Sequence, residues 1–156
     1  MLGFKWRFYD PPEGSALPSL GVQPAVKLPT ASSPIGTERV DFSAEALASF
    51  DLPWALSLDV NAGLAAIAQA RPGGYLLQAL VAATLSTEID ERWLPFVGLS
   101  YVSRATRDGH DTLSIQPGLT WRVTRNAALD VSVQTSLLGR APDYEVRLGA
   151  SVRFGR

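Results

Sequence analysis

The chain has 156 residues, 46% hydrophobic and 19% charged, with a formal net charge of −1 at pH 7. That is one globular domain's worth of sequence, too hydrophobic for a disordered chain and without the basic field a nucleic-acid partner requires, so no nucleic acid is expected. The absence of cysteine excludes a disulfide framework and a thiolate metal site, and a single histidine argues against imidazole ligation. No metal and no cofactor are expected.

No run of about 18 apolar residues exists, which excludes a transmembrane helix. Met1 to Arg7 lacks an unbroken apolar stretch and a small-residue cleavage site, so it does not read as a signal peptide. The expectation is a single domain over 1–156 that lacks upstream strands and an export signal.

In chain order, Leu2 to Phe8 alternates apolar and polar until Asp10-Pro11-Pro12 breaks it. Leu20 to Leu28 alternates next, followed by a loop at 32–37. Val40 to Phe50 continues the pattern up to a tight turn expected at Asp51-Leu52-Pro53, with Trp54 opening the next strand, which runs to Ala66. Tyr75 to Glu88 alternates less cleanly, because Leu76 and Leu80 join Gln78 and Thr84 on the polar side. Trp93 to Tyr101 follows a turn at 90–92, and the polar loop Arg104 to Asp111 leads to the cleanest stretch. From Leu113 three segments alternate almost without error, separated at Arg125-Asn126 and at 139–143. Alanine-rich 43–50 and 62–70 are the places where a helix competes, since alanine is the best helix former. The period of two is weighed above propensity there.

The result is nine strands and no convincing helix, an all-β antiparallel up-and-down chain. Short connections fall at one end and longer polar ones at the other. With the last strand ending in the periplasm, this is the pattern of a transmembrane β-barrel in a bacterial outer membrane. Phe50, Trp54, Trp93, Trp121 and Phe154 then gather at the periplasmic end of the apolar face, and Tyr75, Tyr101 and Tyr144 at the outer end, as membrane-interface aromatics. The polar faces carry Asp41, Glu45, Asp59, Asn61, Glu88, Gln116, Arg122, Asp130, Gln134, Glu145, Arg147 and Arg153, expected to line a lumen among small Gly and Ser residues. Arg122, Arg147 and Arg153 are expected either to line a pore with Asp130 and Glu145 or to close it as a salt-bridge network. Pro24, Pro95 and Pro117 lie within strands, where proline removes a ladder hydrogen bond, so these strands are expected to be interrupted near those points. A short echo, Leu20-Gly21-Val22-Gln23-Pro24 against Leu113-Ser114-Ile115-Gln116-Pro117, suggests equivalent units.

The last strand, Arg147 to Phe154, resembles the terminal signal read by the barrel assembly machinery, although it ends on Gly155-Arg156 and not on the aromatic residue. Ser19 to Thr30, Ile35-Gly36-Thr37 and Val40-Asp41-Phe42 resemble the outer-membrane transporter family labelled MetA-pathway of phenol degradation, with this chain as its C-terminal portion. That resemblance implies a barrel of about a dozen strands, with nine in this chain, that passes small hydrophobic or aromatic compounds and has no catalytic residues. Membrane lipid, the assembly machinery and a small-molecule solute are the expected partners. Three other readings stay open: a closed-lumen structural or adhesive barrel, a soluble β-barrel or sandwich that binds a ligand, and an outer-membrane hydrolase. The last would use His110, the only histidine, with Asp108 or with Ser114 as nucleophile. No Asp-x-Asp pair on another outer loop completes a protease site, and a histidine needs an orienting partner before it can act as a base.

Overall fold

The computed structural model describes residues 1–12, 14–29, 38–69, 73–139 and 144–153. It contains ten strands: β1 (Leu2–Gly3), β2 (Trp6–Tyr9), β3 (Ser19–Lys27), β4 (Asp41–Leu52), β5 (Leu56–Ala68), β6 (Tyr75–Thr87), β7 (Trp93–Val102), β8 (Thr112–Thr124), β9 (Ala127–Leu138) and β10 (Glu145–Val152). There is no helix among the described residues; alanine-rich β4 and β5 are strands, so tertiary pairing overrides propensity there. Every strand from β3 to β10 pairs antiparallel with the next, in one up-and-down sheet. β1 and β2 lie end to end along β3, so they form one pass with a break. The sheet is open, with β1–β2 at one edge and β10 at the other.

The strands that carry Pro24, Pro95 and Pro117 run through them unbroken, contrary to expectation, and the gap falls instead in the pairing with a neighbouring strand. Phe4 N–H donates to the Pro24 carbonyl at 3.2 Å, but Pro24 has no N–H to return the bond, and the first pass breaks there into β1 and β2. The β8–β9 ladder skips from Ile115↔Thr135 to Gly118↔Ser132, around Pro117. The β6–β7 ladder ends at Ser86↔Phe96, one residue short of Pro95. The two prolines of the sequence echo therefore do the same thing, each loosening one side of its strand.

The turn between β4 and β5 is later than the sequence suggests. Leu52 pairs with Leu56, which leaves Pro53, Trp54 and Ala55 as the hairpin tip. Trp54 and Ala55 take left-handed backbone, φ 64° and 56°. Proline at the first tip position fixes its own φ and lets β4 run to Leu52. Trp54 is thus a turn residue, almost fully exposed, and not the start of a strand.

Exposure is inverted relative to a protein folded in water. Large apolar side chains face out along the strands: Leu64 is 54% exposed, Leu129 46%, Val131 42% and Leu148 81%. On the other face Ser114 and Ser132 are 2% and 3% exposed and Asp41 is 7%. Only Ala25, Leu47 and Ala68 are buried apolar residues, so no ordinary hydrophobic core exists among the described residues. In a single layer the crowded side is the concave one, so the sheet curls toward its polar face. The accessible surface is 11332 Å², whereas a water-soluble monomer of 16.8 kDa exposes about 7,600 Å². Large apolar side chains such as Trp54, Leu77 and Leu148 stand open in that surface.

Candidate functional site

The inner, polar face is the candidate site, and register decides which of its residues meet. The strand pairing ranks the apolar outer residues side by side, for instance Val60 with Ala83, Leu99 with Ile115, and Leu119 with Val131. The residues between them therefore share the inner face.

At the end carrying the longer connections, Lys27 and Asp41 are register partners, with the ammonium 2.9 Å from the carboxylate. Asp41 also accepts from the Ala68 N–H at 2.8 Å, which ties β3, β4 and β5 together. Replacing Asp41 by alanine leaves that buried N–H unpaired and is expected to destabilise the protein by about 1–3 kcal/mol. Equilibrium urea unfolding checks this, and Lys27→Met, at the half-exposed partner, is expected to cost less than the aspartate variant.

Further along, Glu45 lies opposite Gly63, and Asp59 accepts a short hydrogen bond from the Ser49 hydroxyl, with Asn61 opposite Leu47. A Cβ on Gly63 would collide with the Glu45 side chain, so glycine makes the room for it. Gln116 donates to the Ser132 hydroxyl at 2.7 Å. Gln134 is opposite Glu145, and Asp130 lies over Gly149, where again a Cβ would clash. Phe96, unassigned in the sequence reading, points inward and fills the space above Gly118. Its even position between Leu94 and Gly98 in a strand whose odd residues face out was the available signal.

The expected arginine network does not form as one unit. Arg122 pairs with Glu88 at 2.6 Å, reaching from β8 to the end of β6 past β7, and not with Asp130. Arg147 pairs with Glu145 two residues away on its own strand, at 2.9 Å. Arg153 enters the β9–β10 end through its backbone, donating N–H to the Asn126 carbonyl. The physical reason is register, which sets Arg122 beside Ala128 and Asp130 beside Thr120. Among the described residues no ion pair reaches across the inner face beyond two strands. A cavity of about 340 Å³ opens on this face between Lys27, Asp41, Glu45, Gly63, Ile67 and Leu80.

The aromatics expected at the interfaces sort by end, whereas Tyr9, opposite Leu20, lies at the tryptophan end and Phe42, opposite Ala66, at the tyrosine end. Trp93 and Trp121 are register partners and stack, ring centroids 5.7 Å apart at 13°; Phe50 lies near the same end, two residues before the end of β4, and Trp54 at the adjacent hairpin tip. Tyr75 begins β6 and Tyr101 nearly ends β7 at the opposite end, with exposed Tyr144 just before β10. Phe154 lies outside the described residues.

The loop 103–111 is held by bonds that strand periodicity does not signal. Asp111 accepts from the Tyr101 hydroxyl at 2.6 Å and from the Arg104 N–H at 2.9 Å. These hold its carboxyl below the ordinary carboxylate range, the Tyr101 hydroxyl contributing most. A folded pKa below the unfolded value means the contribution is complete above the unfolded value of about 3.9 and is lost as pH falls through the lowered folded one. Carboxyl-carbon NMR of Asp111 is expected to titrate below about 3.9 and to move upward in Tyr101→Phe. His110 is exposed, and among the described residues no hydrogen bond joins it to Asp108 or to the buried Ser114. The geometry assembles no catalytic pair there.

Residues 1–154 match the family model described as "Putative MetA-pathway of phenol degradation". No curated protein and no solved structure matches the chain. With nearly all of its length inside that match, the chain belongs to the family of the MetA-pathway of phenol degradation.

Proposed function

We propose that this chain is the wall of a bacterial outer-membrane β-barrel that lets small hydrophobic or aromatic solutes cross passively. The observation that carries this reading is the inverted exposure. Apolar side chains face outward along the strands while serines, glutamines and charged residues crowd the inner face. In water such an apolar exterior would drive association, whereas in a bilayer it is the required surface. Lipid is the first partner, and β10 is the segment the assembly machinery would engage. The stacked tryptophans at one end and Tyr75, Tyr101 and Tyr144 at the other support two interfacial levels.

The inner face supports conduction better than closure, because among the described residues its ion pairs are local and form no spanning charge network. Nine passes place the first and last strands parallel, so the barrel closes through added strands or a parallel seam. The aromatic solute class rests on the family's phenol-degradation description. No chemical step is needed, so selectivity comes from the lining and the loops.

Planar-bilayer recording tests the proposal. Folded full-length protein is expected to give discrete conductance steps. A silent bilayer with heat-modifiable, folded protein inserted would replace the channel with a closed structural barrel.

A further inference from the structure

Residues 103–111 connect β7 to β8, yet Ser103 and Ala105 bond the other way, to β6 and to the end of β5. The Gln78 side chain on β6 donates to the Ser103 carbonyl at 2.8 Å, and the Ser103 hydroxyl accepts from the Ala79 N–H at 2.8 Å. Ser103 N–H donates to the Ala79 carbonyl at 2.9 Å. Beyond these, the Gln69 amide donates to the Ala105 carbonyl at 3.0 Å. Gln69 follows the last residue of β5, two strands from β7, and adjacent strands lie about 4.8 Å apart. The Gln69–Ala105 bond therefore passes over the level of β6 and joins the loop to β5.

It crosses on the inner side. Gln69 continues the phase of Asn61, Gly63, Ala65 and Ile67, all inner-face positions, and is only 6% exposed, with its second bond going to the Ile67 carbonyl. Gln78 shares the inner phase of Leu76 and Leu80. The far end is fastened by Asp111, which grips Tyr101 and the Arg104 N–H. The inner face beside Gln69 and Gln78 is unusually apolar, with Ile67 opposite Leu76 and Leu80 opposite Val102. The two leucines that spoil the alternation of β6 belong to this floor.

We infer that residues 103–111 form a strap over the mouth of the inner face, latched by Gln69 and Gln78, and that the strap sets how far the apolar floor below is open to entering uncharged solutes. The part concerning solutes rests on the channel reading; the strap does not. Two neutral hydrogen bonds, each worth roughly fivefold in an opening equilibrium, hold the latch.

Trypsin reads the strap without reference to transport, because Arg104 and Arg107 lie within it. In folded full-length protein, Gln69→Ala with Gln78→Ala is expected to speed cleavage after these two arginines about twenty-five-fold, counted by fragment mass. Gln69→Glu, which keeps the shape and removes the donor, is expected to speed it several-fold. Gln134→Ala, an inner-face glutamine away from the strap, is expected to leave the rate unchanged. Equal rates in the latch variants and the parent overturn the inference, and so does acceleration by Gln134→Ala. Faster cleavage with larger conductance steps supports the whole inference. Faster cleavage in an electrically silent protein keeps the strap and removes only the channel.

Discussion

Gly118→Val is expected to destabilise the folded protein by about 2–3 kcal/mol, whereas Gly98→Val on the neighbouring strand costs well under half of that. The two glycines are inner-face positions of β8 and β7, so strand propensity and burial are nearly matched. They differ in what a side chain would meet. At Gly118 a Cβ falls into the Phe96 ring, within 2.7 Å of Cε1 and Cε2, while at Gly98 the nearest atom is 3.5 Å away, an ordinary contact. Phe96 and Gly118 are register partners, so the ring lies flat over the glycine and cannot yield without leaving its rotamer. Removing the ring restores the room. Phe96→Ala combined with Gly118→Val is therefore expected to be more stable than Gly118→Val alone, a sign reversal that additive costs cannot produce. Urea unfolding from lipid vesicles, followed by tryptophan fluorescence, measures all four proteins. Equal losses at Gly98 and Gly118 would remove the ring-over-glycine explanation.

The same pairing recurs at Gly63 with Glu45 and at Gly149 with Asp130, so three glycines serve one purpose. Each makes space on a crowded concave face for a large or charged neighbour one strand away. This explains why glycine is common among the polar positions of a curved single sheet, where serine alone would not free enough volume.

Much of this was legible beforehand. Period-two alternation is a local property, so the strands and their faces followed from reading neighbours, whereas the strands expected to break at Pro24, Pro95 and Pro117 run through them. What alternation cannot supply is the partner across a strand boundary, which depends on hairpin length. A tip placed at Pro53-Trp54-Ala55 moves Trp54 from strand to turn. The register sets Arg122 and Asp130 against Ala128 and Thr120, so of the expected arginine network only the Arg147–Glu145 pair forms among the described residues. The strap was hidden for a stronger reason. Gln69 and Ala105 belong to different connections, and only the fold brings them within a hydrogen bond. Leu76 and Leu80 carried the one local hint, an apolar pair on the wrong face.

Val131→Arg is expected to cost about 2–4 kcal/mol in a bilayer, because a cation near the middle of a lipid-facing strand must shed water or distort the membrane. Val131 lies on the apolar face of β9 between Leu119 and Leu148, 42% exposed. If that face met water, the substitution would put a charge on an already open surface, worth no more than about 0.5 kcal/mol either way. The loss of strand propensity adds less than about 1 kcal/mol in both cases, so the two readings stay separated. Gln134→Arg is the matched control three residues on. It introduces the same side chain on the inner face, opposite Glu145, where a cation gains a carboxylate neighbour. The expected pattern in vesicles is a large loss for Val131→Arg and a change within about 1 kcal/mol for Gln134→Arg. An apolar face that solvates arginine as readily as the polar one would not be lipid-facing, and the lumen behind it would lose its physical basis.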